Sequence, residues 1–295
     1  MKSDILKKTA ALGMAMLMLA TAGACGKDEK EKEPSQEPIS LVMDTTISEK
    51  AYLSELVDPN GNQSNEPTSQ TQTTPPVSQQ QGGTVNNPTD ASFFDDAVFV
   101  GDSVSLGLNY YVSDQRNYGE CLGQAKFLTS GSLGSGHAVA AVSSESLHPT
   151  YRGEKRRIED SIAVMQAKKV FIMLGMNDIA LYGIDKSLEN YKELVDCIIE
   201  KNPGIQIYAQ SCTPMAQGCE RSMLNNRSIK KYNTALQTLC TQNGWNYVDV
   251  HSVVTDADGF LRSDYCSDPS SMGIHFTPTG CAAWVNYLLN YVNNR

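Results

Sequence analysis

From residue 97 onward, short apolar runs alternate with amphipathic stretches, and this alternation constrains the fold more than any other feature. Five of the runs are four to six residues long and end at polar or turn-forming residues. A strand that is apolar at nearly every position is buried on both faces, as in a parallel sheet covered by helices. The predicted strands are Ala97–Val100, Lys126–Thr129, Lys169–Leu174, Ile205–Ala209 and Tyr247–Val250.

Three further segments carry apolar side chains at the three- and four-residue spacing of a buried helix face. Repeating strand-helix units over residues 92–295 predict an α/β domain: a three-layer α/β/α sandwich with a doubly wound five-stranded parallel sheet. Ligands of such sheets bind beyond the carboxyl ends of the strands. The three apolar helix faces are Leu188, Tyr191, Leu194, Val195, Ile198 and Ile199; Ile229, Tyr232, Leu236, Leu239 and Cys240; and Trp284, Tyr287, Leu288 and Tyr291.

The first 25 residues have the pattern of a secretory signal peptide, with a basic start followed by an uncharged apolar stretch from Ala10 to Ala24. That stretch is too short to span a bilayer comfortably as a permanent helix. It ends in Ala22-Gly23-Ala24-Cys25, which resembles a bacterial lipobox, and the resemblance implies that Cys25 carries a lipid. The alternative is ordinary cleavage of the signal, which leaves Cys25 an accidental thiol.

Residues 26–91 predict a flexible acidic linker. They hold seven of the twelve Pro, a single aromatic residue (Tyr52) and tracts rich in Gln, Ser and Thr. Such a segment cannot bury enough apolar surface to offset the entropy lost on ordering. The sequence therefore divides into a signal peptide over 1–25, a disordered linker over 26–91 and one globular domain over 92–295.

The distribution of charge argues against a nucleic acid partner. The chain holds 24 Lys and Arg against 33 Asp and Glu, a net charge of −9. The linker carries −7, the domain −4 and the signal peptide +2. Because binding a nucleic acid requires a basic surface that neutralises phosphates, this balance predicts no such partner.

The eight Cys residues show no metal-binding pattern. No CxxC pair and no zinc-finger spacing occurs, so we predict no metal site. Without Cys25 the remaining seven are an odd number, and at least one is therefore free or paired between chains. Export permits disulfides, but a domain of this size does not need them, and their connectivity stays open.

Three short blocks in the domain have the order and spacing of a known family. Gly101-Asp102-Ser103 follows the first predicted strand, Gly175-Met176-Asn177-Asp178 follows the third, and Gly273-Ile274-His275 lies near the C-terminus. Together they resemble the blocks of the GDSL, or SGNH, hydrolases, and the resemblance covers essentially all of 92–295. It implies a flavodoxin-like SGNH hydrolase fold and a serine esterase that uses no metal or organic cofactor.

Ser103 is the predicted nucleophile and His275 the predicted base. Ser103 lies where a strand ends and a helix begins, and the helix N-terminus favours developing negative charge there. Its hydroxyl is a poor nucleophile until a base takes the proton. The competing interpretation of Ser103 is a helix N-cap. The other three His residues are expected to be polar loop residues, with His148 in a surface loop: His137, His148 and His251.

Acyl transfer also needs hydrogen-bond donors aimed at the developing oxyanion. The family resemblance implies three: the backbone N–H of Ser103, a Gly backbone N–H after the second strand, and the side-chain amide of Asn177. Gly131 is the predicted Gly because it follows that strand most closely, with Gly134 and Gly136 as alternatives. The alternative interpretation of Asn177 is an ordinary turn residue.

The acid of the expected triad is displaced in this sequence. The resemblance implies an Asp three residues before His275, but Met272 stands there and cannot orient an imidazole. Removing the four residues 269–272 would restore the spacing with Asp268 as the acid. Two alternatives stay open: a backbone carbonyl orients His275, or Asp264 and Asp268 are both ordinary solvated loop acids.

These features predict an exported serine hydrolase, held on the outer face of the cell membrane by a lipid on Cys25. The expected substrates are small acyl esters, most simply acetyl esters, or an O-acetylated glycan of the cell wall; lysophospholipids stay open. The alternative function is a catalytically weak or inactive surface lipoprotein that binds carbohydrate on the same fold, with Met272 as the sign of lost activity. A phosphate-binding module is disfavoured because no P-loop occurs.

Overall fold

The computed structural model describes residues 91–294. The predicted signal peptide, the lipidation site Cys25 and nearly all of the linker lie outside these residues. The described part opens with a short 3-10 helix, Ala91–Phe94, and continues directly into the first strand. None of its helices is both long enough and apolar enough to cross a membrane.

The described residues form seven strands, five of which make one parallel sheet. The strands are β1 Ala97–Gly101, β2 Lys126–Thr129, β3 Thr150–Tyr151, β4 Glu154–Lys155, β5 Lys169–Met173, β6 Gln206–Gln210 and β7 Asn246–Val248. The sheet has the order β2-β1-β5-β6-β7, with every neighbouring pair parallel. This confirms the predicted five-stranded parallel sheet. The antiparallel hairpin β3–β4 was not predicted.

Helices cover both faces of the sheet and complete the predicted three layers. Helix α1 packs beside α7, whereas α4 packs between α3 and α5. The order of the strands changes direction at β1, which places these two groups of helices on opposite faces, as a doubly wound sheet requires. The bounds are α1 Ser103–Gln115, α2 Ser135–Val139, α3 Ile158–Met165, α4 Met176–Lys201, α5 Asn226–Asn243, α6 Val250–Val254 and α7 Pro278–Asn293.

Four strands end or begin differently from the prediction, and β1 extends one residue further, to Gly101. Leu174 lies beyond the end of β5, and β6 is shifted by one residue toward the C-terminus. Strand β7 stops at Val248 because the next residue, Asp249, caps α6: its carboxylate accepts the backbone N–H of Ser252 at 3.3 Å. A capping side chain thus decides a boundary that apolar periodicity alone extended to Val250.

Helix α4 is longer than its apolar pattern indicates and is kinked. It begins at Met176, directly after β5, and Gly183 interrupts the helical backbone with φ 76° and ψ 178°. The predicted stops are confirmed, because Asn202 is the C-cap of α4 and Gly244 is the C-cap of α5. Gly244 adopts a φ of 70°, the left-handed conformation that commonly terminates helices.

A row of aromatic rings crosses the sheet and fixes the strand register. Phe127, Phe99, Phe171 and Tyr208 stand on four adjacent strands at paired positions. Successive ring centroids are 5.1, 4.8 and 4.4 Å apart with interplanar angles below 20°. Such pairs contribute about 0.5–1.5 kcal/mol each beyond the area they bury. Because the register is fixed, the carboxyl ends of the strands are aligned as well.

None of the seven Cys residues between 91 and 294 forms a disulfide with another residue of that range. Cys240 is buried on the inner face of α5, where burial raises its pKa to about 12. Cys197 is half-buried, with Sγ 3.7 Å from a guanidinium nitrogen of Arg157. These thiols act as core side chains within the domain.

Candidate active site

The aligned carboxyl ends of β1, β2 and β5 bring three functional loops to one edge of the sheet. Gly101, the last residue of β1, pairs with Thr129 at the end of β2 and with Met173 at the end of β5. The loops that carry the predicted nucleophile and oxyanion donors therefore start side by side. This edge is where parallel α/β sheets bind their ligands.

Ser103 is the first residue of α1, and Asp102 is the N-cap of that helix. The Asp102 carboxylate accepts the backbone N–H of Val104 at 2.9 Å. The capping interpretation of Ser103 is therefore wrong. The strand-to-helix turn is tight: a Cβ at Gly101 would lie 2.1 Å from the hydroxyl oxygen of Ser105, so the position requires Gly.

Ser103, His275 and Asp268 form one continuous hydrogen-bonded chain. Nε2 of His275 lies 3.0 Å from Oγ of Ser103, and Nδ1 lies 2.7 Å from Oδ2 of Asp268. Burial raises the pKa of Asp268, but hydrogen bonds from His275 and its charge outweigh burial and hold the pKa below its usual value. The ionised carboxylate can only accept, which places a proton on Nδ1 and leaves Nε2 to accept the Ser103 hydroxyl proton.

The four inserted residues 269–272 form a turn that returns the Asp268 side chain to His275. The backbone N–H groups of Ser271 and Gly273 donate to the carbonyl oxygen of Asp268 at 2.9 and 3.1 Å. Gly273, at the end of the turn, has a φ of 64°, in the left-handed region that favours Gly. The acid is thus displaced in sequence and present in space.

The second carboxylate oxygen of Asp268 is held by three donors. Oδ1 accepts the backbone N–H groups of Ile274 and His275, both at 3.0 Å. The thiol of Cys266 also donates to Oδ1, at a sulfur–oxygen distance of 3.6 Å. Burial raises the pKa of that thiol to about 12, so it is protonated and able to donate. These contacts fix the plane of the carboxylate that faces the imidazole.

The other candidates for acid and base lie elsewhere. Asp264 is exposed and forms an ion pair with Arg262 at 2.8 Å. His148 is buried, not in a surface loop as predicted, because its two ring nitrogens bond Ser146 Oγ at 3.0 Å and the carbonyl of Ala138 at 3.1 Å. The remaining two histidines fall in the short helices α2 and α6 rather than in loops.

The hydrogen bonds of the loop after β2 distinguish its three Gly residues. The N–H of Gly134 donates to Nδ1 of His137 at 3.1 Å, and the N–H of Gly136 donates to Asp178 at 2.9 Å. Gly131 is buried, and its N–H has no hydrogen-bond acceptor within residues 91–294. Of the three, Gly131 is the one whose donor stays available to a ligand.

Asn177 lies at the edge with both amide N–H groups engaged. Nδ2 donates to the carbonyl of Leu133 at 3.1 Å and to the Asp102 carboxylate at 3.3 Å. Burial raises the pKa of Asp102 to about 6, against the opposing effects of the Val104 N–H and the charge of His275. An oxyanion at this amide would therefore compete with Asp102 for the longer of the two hydrogen bonds.

Asp178 holds the loop after β2 against the start of α4, a role that the sequence analysis did not assign. Its carboxylate accepts the backbone N–H groups of Ser135 at 2.7 Å and Gly136 at 2.9 Å. Burial raises the pKa of Asp178 to about 6, with these two hydrogen bonds acting in the opposite direction. Both supporting acids lie in the family blocks found in the sequence: Asp102 in Gly101-Asp102-Ser103 and Asp178 in Gly175-Met176-Asn177-Asp178. Their place in these blocks was the sequence signal that could have pointed to a role in the site.

A parallel α/β sheet with a Ser-His-Asp hydrogen-bonded chain at its carboxyl edge has the arrangement of a serine-hydrolase site. Residues 99–283 match the GDSL-like lipase/acylhydrolase family. Because this match spans more than half of the chain, the protein belongs to that family and is an ester-hydrolysing enzyme.

Two solved structures share the fold. One is a proposed acylhydrolase from Bacteroides fragilis, with a TM-score of 0.51, 20% identity, and coverage of 67% of this chain and 86% of that one. The other is a GDSL-like lipase from Bacteroides thetaiotaomicron, with a TM-score of 0.50, 15% identity, and coverage of 67% and 87%. At these identities the likeness concerns the fold alone. No curated protein matches the sequence.

Proposed function

We propose that this enzyme is an extracellular serine esterase that removes short acyl groups, acetyl above all, from cell-wall carbohydrate. The observation that carries the proposal is the unbroken chain of hydrogen bonds from Ser103 Oγ through His275 to Asp268, with distances of 3.0 and 2.7 Å. The pKa of Asp268 is held below its usual value, and an ionised Asp268 can accept the Nδ1 proton of His275, as nucleophilic catalysis by a Ser-His-Asp triad needs.

The reaction begins when Ser103 Oγ attacks the ester carbonyl while His275 Nε2 takes its proton. Asp268 stabilises the imidazolium that forms. The tetrahedral intermediate then collapses as His275 returns the proton to the leaving alcohol oxygen, which leaves the acyl group on Ser103. A water molecule, deprotonated by the same Nε2, attacks this acyl-enzyme, releases the carboxylic acid and restores Ser103.

The oxyanion of the intermediate accepts hydrogen bonds from the backbone N–H groups of Ser103 and Gly131 and from the side-chain amide of Asn177. Gly131 is supported by its available N–H, since the N–H groups of Gly134 and Gly136 already donate to His137 and Asp178. Asn177 contributes when its longer hydrogen bond moves from Asp102 to the oxyanion. In a protease, one such donor supplies roughly 3–4 kcal/mol of transition-state stabilisation.

The surroundings of the nucleophile favour a short acyl group. Ser103 is only 2% exposed, and Asp102 and Asn177 beside it are also buried. A long acyl chain would have to displace these packed side chains, whereas an acetyl group is small. The carbohydrate part of the substrate is supported by the predicted location of the enzyme outside the cell.

Hydrolysis of p-nitrophenyl acetate and of an O-acetylated glycan tests the proposed function. We expect Ser103→Ala to lower kcat by several orders of magnitude with little change in Tm. The matched control is Ser105→Ala, on the same helix, which removes a buried hydroxyl that has no hydrogen-bond partner among residues 91–294. Activity that survives in Ser103→Ala, or glycan binding without turnover by the unsubstituted chain, contradicts the proposal and favours a non-catalytic carbohydrate-binding protein.

The membrane anchor is a separate part of the proposal and rests on the lipobox-like Ala22-Gly23-Ala24-Cys25. Lipidation adds about 0.8 kcal/mol of membrane affinity per buried CH₂, and two or more chains give stable retention. Expressed in a bacterial host, the protein should partition into the detergent phase, and Cys25→Ala should move it to the aqueous phase. Equal partitioning of the two forms would contradict a lipid anchor on Cys25.

A further inference from the structure

Three exposed cations stand together near the start of α5. Arg227, Lys230 and Lys231 occupy positions i, i+3 and i+4, which lie on one side of a helix. We call them the α5 basic face. The 18 residues of α5 contain no Asp or Glu, so no acidic residue of the same helix can balance this charge.

The Lys residues of helix α4 provide a comparison, because several of them are paired with acidic side chains. There, Lys186, Lys192 and Lys201 each form an ion pair, with Glu189, Asp196 and Asp160 at 3.1, 2.7 and 2.9 Å. Within residues 91–294, no carboxylate forms an ion pair with any cation of the α5 basic face.

The placement of the α5 basic face is unfavourable for the folded protein alone. Like charges at three- and four-residue spacing repel one another. Cations near a helix N-terminus also oppose the helix dipole. An arrangement that costs stability on both counts indicates an anionic partner that the isolated domain does not contain.

The surface around these cations is concave and rich in hydroxyl and amide groups. A cavity of about 560 Å³ is lined by all three cations together with Thr234 and Thr238. A neighbouring groove of about 710 Å³ is lined by Arg227 and Lys230 on one wall. Its lining also includes the amides of Asn226, Asn233 and Gln237 and the hydroxyls of Thr234, Ser252 and Thr255.

Three acidic residues line the same groove, Asp249, Asp256 and Asp258, and the carboxylates of the first two already accept hydrogen bonds. The Asp249 carboxylate caps α6. The Asp256 carboxylate accepts the backbone N–H groups of Asp258 and Phe260 at 3.0 and 2.9 Å. The groove thus combines cations on α5 with hydroxyl, amide and carboxylate hydrogen-bonding groups, which suits a ligand that carries both anionic groups and many hydroxyls.

A third cavity lies between this surface and the first half of α4. It measures about 460 Å³, and its lining includes Lys231 and Ser228 of α5, Met223, and Ile179 of α4. Ile179 is two residues after Asn177. The α5 basic face therefore borders the helix whose first turn carries Asn177.

We infer that the α5 basic face binds an anionic glycan, a hydroxyl-rich polymer that bears carboxylate or phosphate groups, and holds it for deacylation. As a statement about the substrate, this inference rests on the proposed function. A lipid surface fits less well, because the exposed face continues with Thr234 and Thr238 rather than with Leu or Trp. Nucleic acid fits less well because its closely spaced phosphates require a broader basic surface than these three cations provide.

Titration of the full chain with polygalacturonate, a carboxylated glycan, tests the binding at low salt. We expect the combined Arg227→Gln, Lys230→Gln and Lys231→Gln variant to raise Kd at least about tenfold. The slope of log affinity against log salt should fall by about 2, as expected for three lost charge contacts. The matched control removes the same charge from α4 (Lys186→Gln, Lys192→Gln and Lys201→Gln) and should change Kd less than about threefold.

Equal losses in the two triple variants would overturn the inference, as would equal affinity of the unsubstituted chain for dextran, an uncharged glycan. Binding to phosphatidylglycerol vesicles that depends on the α5 basic face, without binding to polygalacturonate, would overturn it in favour of a lipid surface. A catalytic readout supports it if the variant lowers kcat/KM on O-acetylated polygalacturonate at least about tenfold more than on p-nitrophenyl acetate. Failure of the proposed function appears separately, as absence of hydrolysis by the unsubstituted chain.

Discussion

Substitution of Asp268 by Asn separates the catalytic role of this acid from its structural role. The Asn side-chain oxygen can keep the two backbone hydrogen bonds from Ile274 and His275, so the turn over residues 269–272 is preserved. The amide nitrogen then faces Nδ1 of His275, which must accept rather than donate. The ring proton moves to Nε2, and this tautomer cannot take the proton of Ser103.

The magnitude of the effect follows from the geometry. The Nδ1–Oδ2 distance of 2.7 Å and the burial of Asp268, which is 9% exposed, indicate a charge-assisted hydrogen bond screened from water. A wrong tautomer lowers kcat about 10⁴-fold in a protease triad, which corresponds to about 5 kcal/mol. We therefore expect a loss between about 10² and 10⁴ in kcat for Asp268→Asn.

Steady-state hydrolysis of p-nitrophenyl acetate measures this loss, with Asp264→Asn as the control. Asp264 has the same side chain and lies four residues earlier, but it is exposed and pairs with Arg262. Its amide variant should keep activity within about threefold. A loss of tenfold or less for Asp268→Asn, with unchanged Tm, would refute the reasoning and leave a Ser-His dyad oriented by a backbone carbonyl.

Two further predictions concern the groups that support the site. Cys266→Ala removes one of three donors to Asp268 Oδ1, so kcat should fall by less than about tenfold and the acid limb of its pH profile should move upward. Burial raises the pKa of Asp102 and Asp178 from 3.8 to about 6, so the folded state binds protons more tightly than the unfolded state between these values. The free energy of unfolding in urea should therefore increase as pH falls from 7 to 5, by about 1 kcal/mol per group; a decrease would contradict the burial argument.

The fold could be predicted because its strands are apolar at nearly every position and its helices are amphipathic. Errors appear where a single polar contact decides a boundary: the Asp249 cap shortens β7, and Gly183 kinks α4 without ending it. His148 lies in a polar, Pro-containing stretch and is nevertheless buried, with both ring nitrogens hydrogen-bonded, to Ser146 Oγ and to the carbonyl of Ala138. Local patterns do not contain such tertiary contacts.

Ser103, Asn177 and His275 could be placed at one edge of the sheet because each lies in one of the three blocks that resemble those of the GDSL, or SGNH, hydrolases. Asp268 stayed open, since only a three-dimensional turn brings it back to the imidazole. Sequence also could not show that Asn177 has both N–H groups engaged, which depends on Leu133 and Asp102. The network that positions the donors was therefore the least predictable part of the site.

Covalent labelling by a fluorophosphonate tests the central claim most directly, because the probe reacts with an activated Ser and needs no knowledge of the natural substrate. The account predicts one adduct, on the peptide that contains Ser103, when the unsubstituted chain is labelled, digested and mapped by mass spectrometry. Ser103→Ala should abolish the adduct, and His275→Ala should slow its formation strongly while Ser103 remains present. An adduct on any other residue, or none on a chain that hydrolyses p-nitrophenyl acetate, would contradict the assignment of Ser103 as the nucleophile.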